Sequence, residues 1–245
     1  MNDFGLQLYT VRRVISDDTI ETVMHEIKKA GYTYVQAAGS LENIEKQGKV
    51  ARSVGLDVIG SVSSLDIICE DLDKAIDVHK SLGASDIGVS AFFSSAAEVE
   101  KFIRKANSVA DILSDHGLSF SYHNHSGEFV RLENGKTAYD MLIEGLVSPN
   151  AYFMPDTYWI QHGGADVRYY IEKLKTRIKI LHLKDAKMTS GGLNFAEIGR
   201  GNLFWEGIVE SAKASGVKYF VVEQDKCDNS PLDSIKYSAE YLLTL

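Results

Sequence analysis

Cysteine is nearly missing from this chain. Cys69 and Cys227 are the only two among 245 residues, and neither sits in a CxxC pair. That argues against a disulfide scaffold and a thiolate zinc site, and makes a reducing interior the natural setting. Proline is equally scarce, at 3 residues, and no low-complexity stretch interrupts the sequence. No linker is visible, so one domain over residues 1–245 is expected. Basic charge is also short: Lys and Arg number 26 against 34 Asp and Glu, for a net charge of −8. This balance argues against a phosphate-tracking surface and a nucleic-acid partner. No apolar run approaches a membrane span. The N-terminus enters a strand pattern at once (FGLQLYT) with no basic-then-apolar leader. A cytoplasmic protein without a membrane partner is the expectation. Neither a GxGxxG turn opening the first helix nor a Walker lysine motif occurs, which weighs against a nucleotide-binding open sheet.

What is there is ordinary core material, 44% hydrophobic and 24% charged, arranged in a regular alternation. Strand patterns fall at Phe4–Tyr9, Tyr32–Ala37, Leu56–Ser61, Asp86–Ser90, Leu118–His123, Tyr152–Met154, Ile178–Leu183 and Lys218–Val222. Between them lie amphipathic helix patterns. Ile20, Val23, Met24 and Ile27 follow i, i+3, i+4, i+7 spacing behind a Ser16-Asp17-Asp18 cap, and a long helix is expected from about Ala96 to Asp115. Glycine commonly closes a helix just before the next strand. Eight such units imply a parallel α/β sheet, and eight is the number that closes a (β/α)₈ TIM barrel. The long connections, His125–Lys136 and Ala186–Leu203, both follow strands that carry histidines, as active sites built from βα loops require.

Three consecutive strand candidates end on polar groups: AYFMPD on Asp156, IKILHLKD on His182, Lys184 and Asp185, and KYFVVEQD on Glu223 and Asp225. A strand covered on both faces reads as a nearly continuous apolar run, so polar ends need a separate reason. Asp, His and Glu delivered to one rim are what a divalent metal site in such a barrel needs. The fifth strand ends YHNHSGEF, where alternation points His123 and His125 the same way. Two imidazoles, an amide and Glu128 form a cluster expensive to desolvate without purpose. Trp159 could wall a pocket against the apolar face of a sugar or pack a helix on the barrel. His162 reads as a loop residue.

YHNHSGEF, DTYW followed by HGGAD, LHLKD, GRGNLFW and VVEQD, in that order, resemble the xylose isomerase-like TIM-barrel superfamily, often labelled sugar phosphate isomerases/epimerases. Relatives include ketose 3-epimerases, hydroxypyruvate isomerases, inosose dehydratases and an AP-endonuclease branch. The resemblance implies one divalent ion, manganese first with magnesium, cobalt or zinc as alternatives, held by Glu, Asp, His and Glu from the fifth to eighth strands. Asp156, His182 and Glu223 match three of those ligands. Where the epimerases place a glutamate at the end of the fifth strand, this chain has His123, with Glu128 as the other candidate fourth ligand. Gln36 stands where many relatives carry glutamate, the third strand ends GSVSS without the histidine often found there, and Arg200 stands where an acidic residue is common. Arg200 could hold an anion or pair with a nearby acid, and the surface pair is the expectation.

The chemistry implied is metal-assisted enediolate formation on a small keto-sugar. Glu223 is the candidate base, with His123 or His125 opposite. Lys184 could donate to the developing oxyanion, and an ion pair with Asp185 is its bland role; the two are compatible. His125, Glu128 and Trp159 are candidate substrate contacts. Reprotonation gives isomerisation or epimerisation; expulsion of a β-leaving group gives a keto-sugar or inosose lyase or dehydratase. A non-catalytic sugar-binding barrel is the third reading, suggested by Gln36 and the altered third strand. A nuclease is disfavoured, because the first four strands offer too few His and Glu ligands. Nothing in the sequence opposes a homo-oligomer.

Overall fold

The computed structural model describes residue 1 and residues 3–245. Its strands are β1 (Gly5–Gln7), β2 (Tyr34–Ala38), β3 (Asp57–Ser64), β4 (Asp86–Ser90), β5 (Ser119–His123), β6 (Ala151–Met154), β7 (Ile180–Leu183), β8 (Asp185–Thr189), β9 (Gly192–Ala196) and β10 (Tyr219–Val222). Its helices are α1 (Ile20–Lys29), α2 (Leu41–Ser53), α3 (Leu65–Glu70), α4 (Leu72–Leu82), α5 (Ala96–Asp115), α6 (Ala138–Gly145), α7 (Thr157–His162), α8 (Val167–Leu174), α9 (Trp205–Ala214) and α10 (Pro231–Leu242).

Eight strands form one parallel sheet in the order β6-β5-β4-β3-β2-β1-β10-β7. The sheet rolls up until β6 and β7 meet. That seam holds only single bridges, Phe153 to Ile178 and Asp156 to His182, with the His182 amide donating to Pro155 O at 2.9 Å. The result is the expected barrel, nearly closed. Its lower interior is filled by Tyr34, Ile59, Met154, Ile180 and Val221. Gly5 belongs to this layer because a Cβ there would run into the Tyr34 ring.

Outside, each helix lays an apolar stripe on the strands. Ile20, Val23, Met24 and Ile27 of α1 are buried, as their spacing predicts, and α5 keeps its expected span. Fully burying a side chain of that size contributes roughly 1.5–3 kcal/mol. Caps set where several helices begin: Ser95 Oγ accepts from Glu98 N at 3.3 Å, and Asp156 Oδ1 accepts from Trp159 N at 2.9 Å. The expected cap at Ser16–Asp18 is not made; α1 starts after Thr19, whose hydroxyl accepts from Ser16 N. β1 is shorter than its pattern because Gln7 Oε1 accepts from Tyr9 N at 3.2 Å and starts a 3₁₀ turn.

The connection after β7 differs most from expectation. Instead of a Gly-rich loop it forms the antiparallel hairpin β8–β9. Phe195 of that hairpin stacks on Tyr158 at 4.1 Å, so the hairpin leans over α7 at the carboxyl end of the barrel. Among the described residues no helix is long and apolar enough to cross a membrane.

Candidate metal centre and active site

Strand alternation aims one set of side chains inward at the carboxyl rim: His123 ending β5, Asp156 just past β6, His182 in β7, Lys184 just past β7, and Glu223 and Asp225 past β10. His123 Nε2 lies 3.4 Å from Asp156 Oδ2 and 3.6 Å from Glu223 Oε2. His182 Nδ1 lies 2.9 Å from Glu223 Oε2 and 4.0 Å from Asp156 Oδ2. All four side chains are buried, and their ligand atoms fall within 4.8 Å of one another. Ligands to one ion at about 2.1 Å cannot be much more than ~4.2 Å apart, and the four distances just given lie inside that limit. Two imidazole nitrogens and two carboxylate oxygens suit a divalent ion of the manganese-to-zinc range. The donor set therefore fits such an ion. Asp156 also serves as helix cap through its other oxygen, so the structural and ligand readings hold together. Asn124 Oδ1 accepts from the Asp156 backbone N–H at 3.0 Å and steadies that strand end.

Lys184 is the cation already present. Its ammonium is wholly buried, 2.9 Å from Asp156, 2.9 Å from Glu223 and 2.6 Å from Asp225. These contacts are ionic rather than well-aligned hydrogen bonds. Burial alone would lower the lysine pKa, but the three carboxylates outweigh it and hold the group charged. Burial would likewise raise the carboxyls of Asp156 and Glu223; Lys184, His123 and, for Glu223, His182 overcome that and keep both ionised. Asp225 moves the other way, its desolvation exceeding the pull of Lys184. His123 is raised to about 9 because its contacts with Asp156 and Glu223 exceed its desolvation. His182 is lowered, chiefly by burial.

The remaining expected site residues divide. His125 faces the rim, half-buried, stacked on Phe92 at 5.4 Å and edge-on to His123 at 5.0 Å. Burial, helped by the charges of His123 and Lys184, pushes its pKa down to about 3, so it is a neutral imidazole. Trp159 is half-buried, 5.4 Å from the His125 ring and 5.3 Å from the Lys184 ammonium. Glu128 turns away: it accepts from Tyr122 Oη at 2.7 Å and His125 N at 3.0 Å, clamping the loop after β5. His162 is exposed and stacks on Tyr158.

Two expected pairings are absent. Asp185 does not pair with Lys184. It takes the N–H groups of Gly199 (2.9 Å), Gly201 (3.1 Å) and Leu203 (3.3 Å) and the indole N–H of Trp205 (2.7 Å), folding GRGNLFW around one buried carboxylate. A Cβ on Gly201 would strike that carboxylate. Among the described residues Arg200 pairs with no acid; it lies over the Tyr237 ring at 3.6 Å.

The cluster opens into a cleft of about 320 Å³, lined among others by Tyr9, Val62, Ser63, Phe92, His125, Glu223 and Asp225. Larger hollows, such as one of about 450 Å³ near Tyr34, Asp57 and Tyr219, lie away from it. Sequence reading missed Asp225 as the third counter-charge to Lys184 and missed Gln7, although a polar residue inside the apolar run FGLQLY was a usable signal.

A barrel of this topology with a His/Asp/His/Glu cluster at its carboxyl rim defines a recognisable class. Residues 15–245 match the family model described as xylose isomerase-like TIM barrel, and the chain belongs to that family. Among solved structures it is similar to a sugar phosphate isomerase/epimerase from Parabacteroides distasonis, with 22% identity, a TM-score of 0.82, and 100% and 99% of the two chains covered. It is also similar to a probable 3-DHS dehydratase involved in petrobactin synthesis from Bacillus anthracis (14% identity, TM-score 0.77, 98% of each chain). A D-allulose 3-epimerase from Methylomonas sp. aligns at 14% identity and TM-score 0.75, over 98% of this chain and 96% of that one. No curated protein matches.

Proposed function

We propose that this chain is a divalent-metal-dependent enzyme that isomerises or epimerises a small keto-sugar or sugar derivative by moving a proton beside the carbonyl. The observation carrying this reading is the convergence of His123, Asp156, His182 and Glu223 beside the cleft. Those four residues would hold one ion, manganese before magnesium, cobalt or zinc, and the ion supplies Lewis acidity toward a sugar carbonyl oxygen. Glu223 serves as the base: its carboxylate lines the cleft and is held ionised. Lys184, 2.9 Å from it, keeps that charge in place and stabilises negative charge as it develops on a nearby oxygen. His125, neutral and backed by Trp159, is placed to hydrogen-bond a hydroxyl, while Tyr9 and Phe92 in the cleft lining offer aromatic surface to the sugar's apolar side.

A second reading, β-elimination from a keto-sugar, is favoured by one observation: the group opposite Glu223 is an imidazole, His123, not a second carboxylate. Keto-sugars incubated with manganese in deuterated water and followed by NMR test both. Deuterium at the carbon beside the carbonyl with an isomer or epimer as product is expected. An unsaturated product establishes the lyase instead, and no exchange across a broad panel overturns both enzymatic readings in favour of a sugar-binding barrel.

A further inference from the structure

His182 has two ring nitrogens with different neighbours, and what fixes their roles lies on the far side of the barrel. Its Nε2 is 2.6 Å from Gln36 Oε1, while its Nδ1 faces Glu223 and the ligand cluster. An amide can be turned end for end, so this contact alone does not say which atom carries the proton. The neighbours of Gln36 do. The Tyr9 backbone N–H, which can only donate, gives its hydrogen bond to Gln7 Oε1 at 3.2 Å. Gln7 therefore presents its Nε2 to Gln36, 2.9 Å from Gln36 Oε1. Gln36 must then use Oε1 as acceptor, with its own Nε2 directed at the Met154 sulfur, 3.4 Å away. Gln7, Gln36 and His182 are all buried, so water does not compete for these groups.

We infer that Gln7 and Gln36 are positioning residues that set the tautomer of His182: Gln36 Oε1 holds a proton on Nε2 and leaves Nδ1 to act as a ligand nitrogen. With Nε2 protonated, a neutral His182 sets its Nδ1 lone pair against a Glu223 oxygen at 2.9 Å. Two acceptors at that distance repel unless a proton or a cation lies between them. The relay thus prepares a place that a cation completes. Hydrogen bonds of this kind orient metal-ligating histidines generally, and their loss typically weakens metal affinity 10–100-fold. Without Gln36, the nearest acceptor would be Glu223, which would draw the proton onto Nδ1, the atom that must bind the ion.

This inference rests on the metal reading above, but its first test does not need metal. Long-range ¹H–¹⁵N spectra of the metal-free chain, with His182 assigned by comparison with His182→Gln, report the tautomer directly. The wild type should show Nε2–H neutral imidazole or imidazolium, never the neutral Nδ1–H form. Gln36→Leu should move the proton toward Nδ1 and, by calorimetric titration with MnCl₂, weaken binding by about 10–100-fold. Gln36→Glu keeps an acceptor against Nε2 and should restore both the tautomer and the affinity. Gln7→Leu, which frees the Gln36 amide to turn, should give a mixture of tautomers even if Gln36→Leu fails to fold. A neutral Nδ1–H form in the wild type, or unchanged tautomer and affinity in Gln36→Leu, overturns the inference. A wild type that binds no Mn²⁺ while showing the Nε2–H form overturns the metal reading and leaves the tautomer assignment standing.

Discussion

Lys184→Met is the most informative single change, because it removes a cation from three carboxylates and replaces it with a side chain of similar length. In the parent chain, Asp156, Glu223 and Asp225 all lie within 2.9 Å of the ammonium. Breaking a buried ion pair by deleting one partner costs about 3–5 kcal/mol. Asp225, whose carboxyl is already pushed up by burial, can take a proton and relieve part of the repulsion, which places the expected loss near the lower end. For a chain of this length 1 kcal/mol moves Tm by about 2–4 °C, so a loss of about 3 kcal/mol lowers Tm by roughly 6–12 °C in EDTA. The pH sign follows from the carboxyls. Asp156 and Glu223 are depressed in the fold, so their stabilisation is present above the unfolded carboxylate range and is lost as pH falls through the folded values. Lys184→Met removes the main source of that depression, so the deficit should be largest at neutral pH and shrink in acid. Manganese should rescue the variant more than the parent, since a bound ion stabilises by mass action and no ammonium competes for its ligands. Thermal unfolding of both chains, in EDTA and in excess MnCl₂ from pH 4 to 8, measures all of this. A metal-free Lys184→Met chain as stable as the parent at pH 7 would refute the ionic account of the cluster.

Other consequences can be checked singly. His182→Ala should lose the one ion per chain that elemental analysis is expected to find in the manganese-loaded parent; unchanged content removes His182 from the ligand set. Glu223→Gln should slow turnover by on the order of 10²- to 10⁴-fold at saturating manganese, followed by solvent-deuterium exchange; exchange at the parent rate disproves its role as base. Metal and proton compete for His123, whose pKa is about 9, so Mn²⁺ affinity should rise about tenfold per pH unit up to about pH 9 and then level; a flat profile from pH 6 to 9 takes His123 out of the centre. Asp185→Ala leaves four backbone N–H groups, those of Ala186, Gly199, Gly201 and Leu203, and the Trp205 indole without their acceptor, at about 1–3 kcal/mol each where they stay dry. Limited proteolysis should then cut within residues 199–204, and resistance equal to the parent argues against that pinning role.

The barrel was legible in the sequence because each unit repeats the same two periods: apolar runs for strands covered on both faces, and i, i+3, i+4 stripes for their helices. Asp156, His182 and Glu223 stood out because charge at the end of a buried strand is costly. The hairpin β8–β9 went unread although Ala186, Met188, Leu193 and Phe195 alternate about a Gly191-Gly192 turn; that stretch lacks the β-branched run that marks interior strands. The expected Lys184–Asp185 pair shows a different error. Neighbours on an extended chain point to opposite faces, so Lys184 enters the barrel while Asp185 serves the loop outside it. Gln36 departs from the family pattern, but its partner His182 lies 146 residues away. No local pattern carries that distance.

The barrel's seam gives the site a mechanical side. One of the two bridges that join β6 to β7 is the pairing of Asp156 with His182, so two members of the donor set stand on opposite lips of the least-bonded joint in the wall. A cation shared between them acts as a clasp: it closes the ring where backbone hydrogen bonds are fewest. Conversely, any breathing of that joint pulls the donor set apart and loosens its hold. Slow hydrogen exchange of the His182 amide, which spans the joint to Pro155, is then a gauge of occupancy that needs no substrate. The wall and the centre it carries stiffen or slacken together.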